Sequence, residues 1–219
     1  MRVLLSGVVG STAYGLARPC SDVDRLGVFA VATAELHGLR RPVESVVSTA
    51  PDQTWHEAAK WCRLALVCNP TASELVWLPE ELYEERTPLG EELIGLRRRF
   101  LSARAVRSAY LGYAAQQLRK LRTREAGPRA AKHARHLVRL VEQAVELHET
   151  GELRVRLAAP ERVRELGERI AEHPEIAEPL LAEAERRLDR PGVLPEAPDE
   201  APVEDWLRRV RLANLDAAG

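Results

Sequence analysis

The stretch GSTAYGLARPCSDVD, residues 10–24, decides how the rest of the chain is read. It lies between two apolar runs, VLLSGVV (3–9) and LGVFAV (26–31), which predict strands over 2–9 and 23–31. Side chains two residues apart on a strand share a face, roughly 6–7 Å apart, so Asp22 and Asp24 are expected to project together. Two carboxylates that close repel one another unless a cation sits between them. Oxygen ligands suit hard cations such as Mg²⁺, commonly held by one or two carboxylates together with substrate phosphates. Gly10 ends the first strand, where a missing side chain lets backbone approach a ligand, and Ser11 adds a hydroxyl and an N–H suited to a phosphate. Strand, Gly-Ser turn and a returning strand with Asp-x-Asp read as a site for a metal ion and a triphosphate. The plainer alternative is an acidic turn between two hairpin strands.

The 219 residues are enough for one large or two small domains with a sizeable core. A composition of 45% hydrophobic and 30% charged residues excludes wholesale disorder. No apolar run reaches about 18 residues, which argues against a transmembrane helix. The opening MRVLLSGVVGS leads straight into the motif and is too short to read as a signal peptide. Cys20, Cys62 and Cys68 are an odd, unpatterned set, which fits reduced thiols in a cytoplasmic protein better than a disulfide framework or a zinc site. Cys62 and Cys68 are expected to be packing residues.

Net charge is −1, but its distribution is uneven. Residues 97–139 hold thirteen Lys and Arg against one acid, Glu125, whereas residues 140–190 hold thirteen acids against eight bases. A basic segment of this kind fits either a polyanionic partner or a solvated Arg-rich surface.

Beyond the motif, SVVST (45–49) is β-branched and predicts a third strand. Thr54 with Glu57 has the spacing of a capping box, predicting a helix from Thr54 to about Val67 that Asn69-Pro70 stops. Thr71 with Glu74 repeats that signature for a short helix ending at Pro79. Asp52 falls between the third strand and the first of these helices, where a carboxylate can join the site of Asp22 and Asp24. Pro51 beside it requires a sheet edge or a strand end. Arg25, following Asp24, must meet solvent, substrate or an acid. From Pro79 onward apolar residues recur at three- and four-residue spacing, predicting helices over 88–101, 102–125, 129–150, 160–172, 175–189 and 202–213. LRVRLAAP (153–160) alternates like a small strand, and RPGVLPEAPDEAP (190–202) reads as a tether or wrapping loop before a helix carrying Trp206, Leu207 and Val210. On helix 129–150, Lys132, His136 and Arg139 share one face, beside a stripe of Leu137, Leu140, Ala144 and Leu147. That face suits phosphates, with Lys as a point charge and Arg as a fork, or is simply solvated.

Gly-Ser followed about ten residues later by Asp-x-Asp on a strand resembles the nucleotidyltransferase superfamily of DNA polymerase β. With Tyr14-Gly15 and Ser21 in place, GSTAYGLARPCSDVDRLGVF is similar to a stand-alone bacterial branch associated with RNA repair. Asp52-Gln53-Thr54, Asn69-Pro70-Thr71, Glu74-Leu75-Val76-Trp77 and the helix Lys132-His133-Ala134-Arg135-His136-Leu137-Val138-Arg139-Leu140 match the same branch. The resemblance implies an α+β protein: a polymerase β-type mixed sheet with helices in residues 1–100, then a helical domain over 101–219 that adds nucleotide and acceptor contacts. It implies metal-dependent transfer of a nucleoside monophosphate from a triphosphate, ATP favoured, to an acceptor hydroxyl. Asp22, Asp24 and Asp52 would be the catalytic and metal-binding carboxylates for two Mg²⁺ or Mn²⁺ ions. The match selects Asp52 over Glu35, Glu44 and Glu57 and makes it the base or base-positioner. Gly10, Ser11, Ser21, Lys132, His136 and Arg139 would bind the nucleotide; Tyr113, Gln116, Arg119 and Lys120 are further contacts. The acceptor it favours is an RNA 3′ end, with RNA-repair enzymes as partners. AMP transfer to a protein or small molecule, and a non-catalytic nucleotide- or RNA-binding module, are the other readings.

Overall fold

The computed structural model describes residues 1–19, 21–123 and 126–215. Cys20, Arg124 and Glu125, which enter the cysteine and charge counts, lie outside the described residues. Strand β1 (Arg2–Val9) runs into a single helical turn, α1 (Gly10–Tyr14), which Gly15 closes in the left-handed conformation. Strand β2 (Asp24–Ala30) returns antiparallel to β1, and a short helix, α2 (Thr33–Leu36), follows. Next come β3 (Ser45–Thr49) and β4 (Asp52–Glu57), an antiparallel hairpin. Helix α3 (Ala58–Leu66), helix α4 (Pro70–Ser73), a 3₁₀ turn (Glu74–Trp77) and strand β5 (Tyr83–Arg86) complete this half. The five strands lie in the order β3-β4-β2-β1-β5, every neighbouring pair antiparallel except β2 and β4. This is the mixed sheet of an α+β fold.

Leu26, Val28 and Ala30 of β2 alternate inward and join Leu4 and Leu5 in the core. Trp61 of α3 seals it, edge-on to Phe100 at 5.3 Å, with its indole N–H donating to the Ala72 carbonyl (3.1 Å). Cys62 and Cys68 are buried free thiols, as expected of packing residues.

Two capping signatures are corrected. Residues 52–57 form β4, not the first turn of a helix: the parallel ladder with β2 claims Thr54 and Trp55. Glu57 does cap, but as the N-cap of α3, accepting from the Ala59 N–H at 2.9 Å. Downstream, Asn69 rather than Thr71 is the cap; its side chain accepts from the Thr71 and Ala72 N–H groups, with Pro70 in the first helical position. Residues 153–159 form no strand. Strand β5 has no apolar alternation and is placed by a close approach instead: a Cβ on Gly7 of β1 would lie 2.8 Å from the Leu82 carbonyl oxygen. Arg25 meets an acid, donating to both oxygens of Glu84 at 2.9 and 3.0 Å.

The second half is helical: α5 (Pro88–Gly95), α6 (Ala103–Arg122), α7 (Pro128–Thr150), α8 (Pro160–Glu172), α9 (Ala177–Leu188) and α10 (Glu200–Leu212). Helix α7 is the centre of the bundle, with α6, α8 and α9 packed around it. The proline-rich segment wraps the bundle, fixed where the Val193 N–H donates to the His148 carbonyl and the Ala103 N–H to the Pro195 carbonyl. Helix α10 then returns to the sheet-bearing half. It packs on α3 and α5, with Arg211 on Glu57 (2.5 Å), Arg209 on Glu92 (2.8 Å) and the Trp206 indole N–H on the Leu89 carbonyl (2.9 Å). Trp206 is fully buried. Trp206→Phe is expected to cost about 1–3 kcal/mol, by orphaning that carbonyl and thinning the seam, as read by urea denaturation.

Candidate active site

Asp24 and Asp52 are the first residues of β2 and β4. Because these strands are parallel with Arg25 opposite Gln53, the two aspartates lie side by side at one end of the sheet. Asp52 thus sits at a strand end, as Pro51 requires, although β4 itself is an interior strand. Burial, and then the Asp52 carboxylate with which it shares a hydrogen-bonding contact, hold Asp24 above the usual carboxylate range. Asp22 adds to the shift and Lys132 opposes it. Asp22 itself is exposed and precedes β2, so it reaches the site from a loop rather than from the expected strand.

Gly10 makes room for this arrangement. It adopts φ +65°, and a Cβ there would lie 1.9 Å from Asp24 Oδ2. The carboxylate therefore rests against bare backbone at the start of α1. Gly10→Ala is expected to displace it and to strain the turn, cutting activity by about 10²-fold, with a loss of about 1–2 kcal/mol in stability. Steady-state kinetics beside a denaturant titration separate the two effects.

The remaining expected residues fall at different depths. Ser11 is half-buried in α1. Ser21 Oγ accepts from the Arg18 N–H at 2.8 Å and so closes the loop before Asp22. Lys132 is exposed on α7 and acts on Asp24 through its charge. Burial, aided by Arg139, pushes the His136 imidazole down to about 3, so it is neutral and accepts from Arg139 Nη2 at 3.3 Å. Arg139, expected as a fork for phosphates, lies deep in the structure. It is 2% exposed, and its Nη1 donates to Gln143 Oε1 (2.8 Å) and lies 3.5 Å from Glu74 Oε2. Its guanidinium also sits 4.0 Å over the Tyr14 ring. Arg139 is two turns further along α7 than Lys132, where the helix runs beneath Tyr14 and Glu74 and not along the rim.

Sequence reasoning missed a role for Tyr14 and Glu74. The Tyr14 hydroxyl donates to Glu74 at 2.7 Å from one oxygen and 2.9 Å from the other. Burial pushes the Glu74 carboxyl up to about 7, against the pull of Arg139 and Tyr14. The available signal was an acid inside the apolar run ASELVWL, which a buried segment tolerates only with a partner. Of the tyrosines on α6, Tyr110 is buried and the Tyr113 hydroxyl accepts from Asn69 Nδ2 at 2.8 Å.

The basic segment is only partly neutralised. Arg98, Arg107 and Arg122 pair with Glu152, Asp189 and Glu178 of the acidic stretch that follows, and Arg99 pairs with Asp199 in the proline-rich segment beyond it. Arg119, Lys120, Arg129 and Lys132, on the adjoining ends of α6 and α7, have no ion-pair partner among the described residues. Lys120 and Lys132 both act on His136, and Lys132 acts on Asp24 as well.

Among the described residues, no three His, Cys, Asp or Glu side chains form a ready-made cage for an ion. The oxygen-only donors and the mutual repulsion at Asp24 nevertheless fit a hard divalent cation whose other ligands come from substrate phosphates and water. No helix of the described residues is long and apolar enough to cross a membrane. A family model described as RNA repair pathway DNA polymerase beta family matches residues 1–193. No curated protein matches the chain.

Proposed function

Since the chain belongs to the RNA repair pathway DNA polymerase beta family, we propose that it transfers a nucleoside monophosphate from a triphosphate, ATP favoured, to the 3′ hydroxyl of an RNA. The observation that carries this reading is the meeting of Asp24 and Asp52 at one end of the sheet, with Asp24 against the bare backbone of Gly10. The acceptor oxygen attacks the α-phosphorus, the bond to the β-phosphate oxygen breaks, and pyrophosphate leaves. Asp52, at the solvent-facing start of β4, takes or orients the proton of the attacking hydroxyl. Asp22 and Asp24, with Asp52, would hold Mg²⁺ or Mn²⁺, which supplies neutralising charge to the phosphate oxygens. Ser11 and the backbone of the α1 turn hold the terminal phosphates, and Lys132 stabilises the charge that develops on them. Residues 1–100 would act as the catalytic domain, and 101–219 would supply nucleotide and acceptor contacts.

Arg119, Lys120, Arg129 and Lys132, without ion-pair partners among the described residues, support an RNA acceptor, since such a cluster, with Lys132 acting on Asp24, suits a polyanionic backbone. The test is incubation with each labelled triphosphate, Mg²⁺ or Mn²⁺, and a pool of short RNAs, resolved on a denaturing gel. RNA lengthened by labelled nucleotide, with yield falling steeply as salt rises, is the expected result. Label on a protein or small molecule instead would replace RNA as the acceptor. Triphosphate binding without any product would remove the enzymatic reading.

A further inference from the structure

Helix α1 is one turn long and carries Gly10 and Ser11, yet a single turn has too few internal hydrogen bonds to hold itself. Its last residue, Tyr14, is tied down from two sides. The hydroxyl donates to buried Glu74, at the start of the 3₁₀ turn that follows α4, and the ring lies under the guanidinium of buried Arg139 on α7. Arg139 is itself oriented by Gln143 and by the neutral His136. Glu74 and Arg139 are 1% and 2% exposed, and burying an opposed pair so deeply gains little stability over an apolar pair of similar volume. Its geometric effect is specific: a forked hydrogen bond from Tyr14 to both Glu74 oxygens, one ion pair and one ring contact join the turn at Gly10 to the helix that bears Lys132.

We infer that Tyr14, Glu74 and Arg139 form a positioning lock that holds the α1 turn, and with it the Asp24 carboxylate, at a fixed distance from the cations of α7. Arg139 acts through Tyr14 and Glu74 and does not touch the nucleotide. The effect of the lock on rate rests on the nucleotidyl-transfer reading; its effect on the mobility of α1 does not.

Two full-length variants test it. Tyr14→Phe removes the hydroxyl and keeps the ring. The double variant Glu74→Leu with Arg139→Met replaces the charges with apolar bulk, which leaves a buried pair site folded. Hydrogen exchange of residues 8–18 is expected to quicken roughly tenfold in both, while exchange in α9 stays unchanged. In the transfer assay kcat is expected to fall roughly tenfold in both, with the KM for the triphosphate nearly constant. Exchange at the wild-type rate in residues 8–18 overturns the lock, as does faster exchange with undiminished kcat. A raised triphosphate KM in the double variant, without loss of kcat, would return Arg139 to direct phosphate contact. If the wild-type protein transfers nothing, the reading of its function fails, and the exchange result alone decides whether the lock exists.

Discussion

Asp24→Asn is expected to cut nucleotidyl transfer by at least about 10³-fold while leaving the protein folded. The substitution is nearly isosteric and keeps an oxygen against Gly10, so the packing at 1.9 Å from a would-be Cβ is preserved. What it removes is charge. A carboxylate raised by burial and by Asp52 is one that a cation would neutralise, and an amide cannot replace that charge. Stability moves the other way. A carboxyl held above its unfolded value binds its proton more readily in the folded state, so its contribution is favourable at low pH. That contribution is lost as pH rises through the usual carboxylate range to the raised value. Asn abolishes this loss, and the variant is expected to melt at or slightly above wild type at pH 7.5 without divalent ions. Added Mg²⁺ is expected to raise the wild-type melting temperature and leave that of the variant unchanged. Retained turnover in Asp24→Asn would sink the assignment of the catalytic carboxylate.

Glu74→Ala is expected to destabilise the protein by about 3–5 kcal/mol, because it strands the buried Arg139 guanidinium. That is a large share of the roughly 5–15 kcal/mol that holds a typical domain. The loss also orphans the Tyr14 hydroxyl, whose hydrogen bonds both end on Glu74. Urea denaturation at neutral pH measures it through the midpoint at constant slope. Glu74→Gln is expected to cost less, since the amide still accepts from Tyr14. A loss under about 1 kcal/mol in Glu74→Ala would mean that Arg139 finds water or another acceptor.

Much of this arrangement was legible in residues 10–24. Gly-Ser followed by Asp-x-Asp between two apolar runs located β1, β2 and the carboxylates, because strand periodicity and metal chemistry leave few alternatives there. Strand β3 was legible for the same reason, in its β-branched run. Strand β4 was hidden by chemistry that imitates a helix start: Thr54 and Glu57 have capping spacing, but the ladder with β2 is a long-range contact that no local window contains. Glu74 was hidden likewise, since the same spacing from Thr71 made a buried charge look like a cap. The depth of Arg139 was hidden because three residues on one helix face can end at very different levels once the helix dives beneath its neighbours. The docking of α10 on α3 and α5 depends on partners more than a hundred residues away in the chain.

That docking bears on the order in which the protein becomes functional during synthesis. A ribosome releases the strands and all three aspartates while the residues that cover α3 and α5 have still to be translated. Proteins tend to fold from the N-terminal side as they emerge, but here the emerging half must wait, with the Leu89 carbonyl and the faces of α3 and α5 that α10 packs against uncovered, until Trp206 arrives. On the proposed reading, competence for chemistry then waits on α10, the helix made last among these elements.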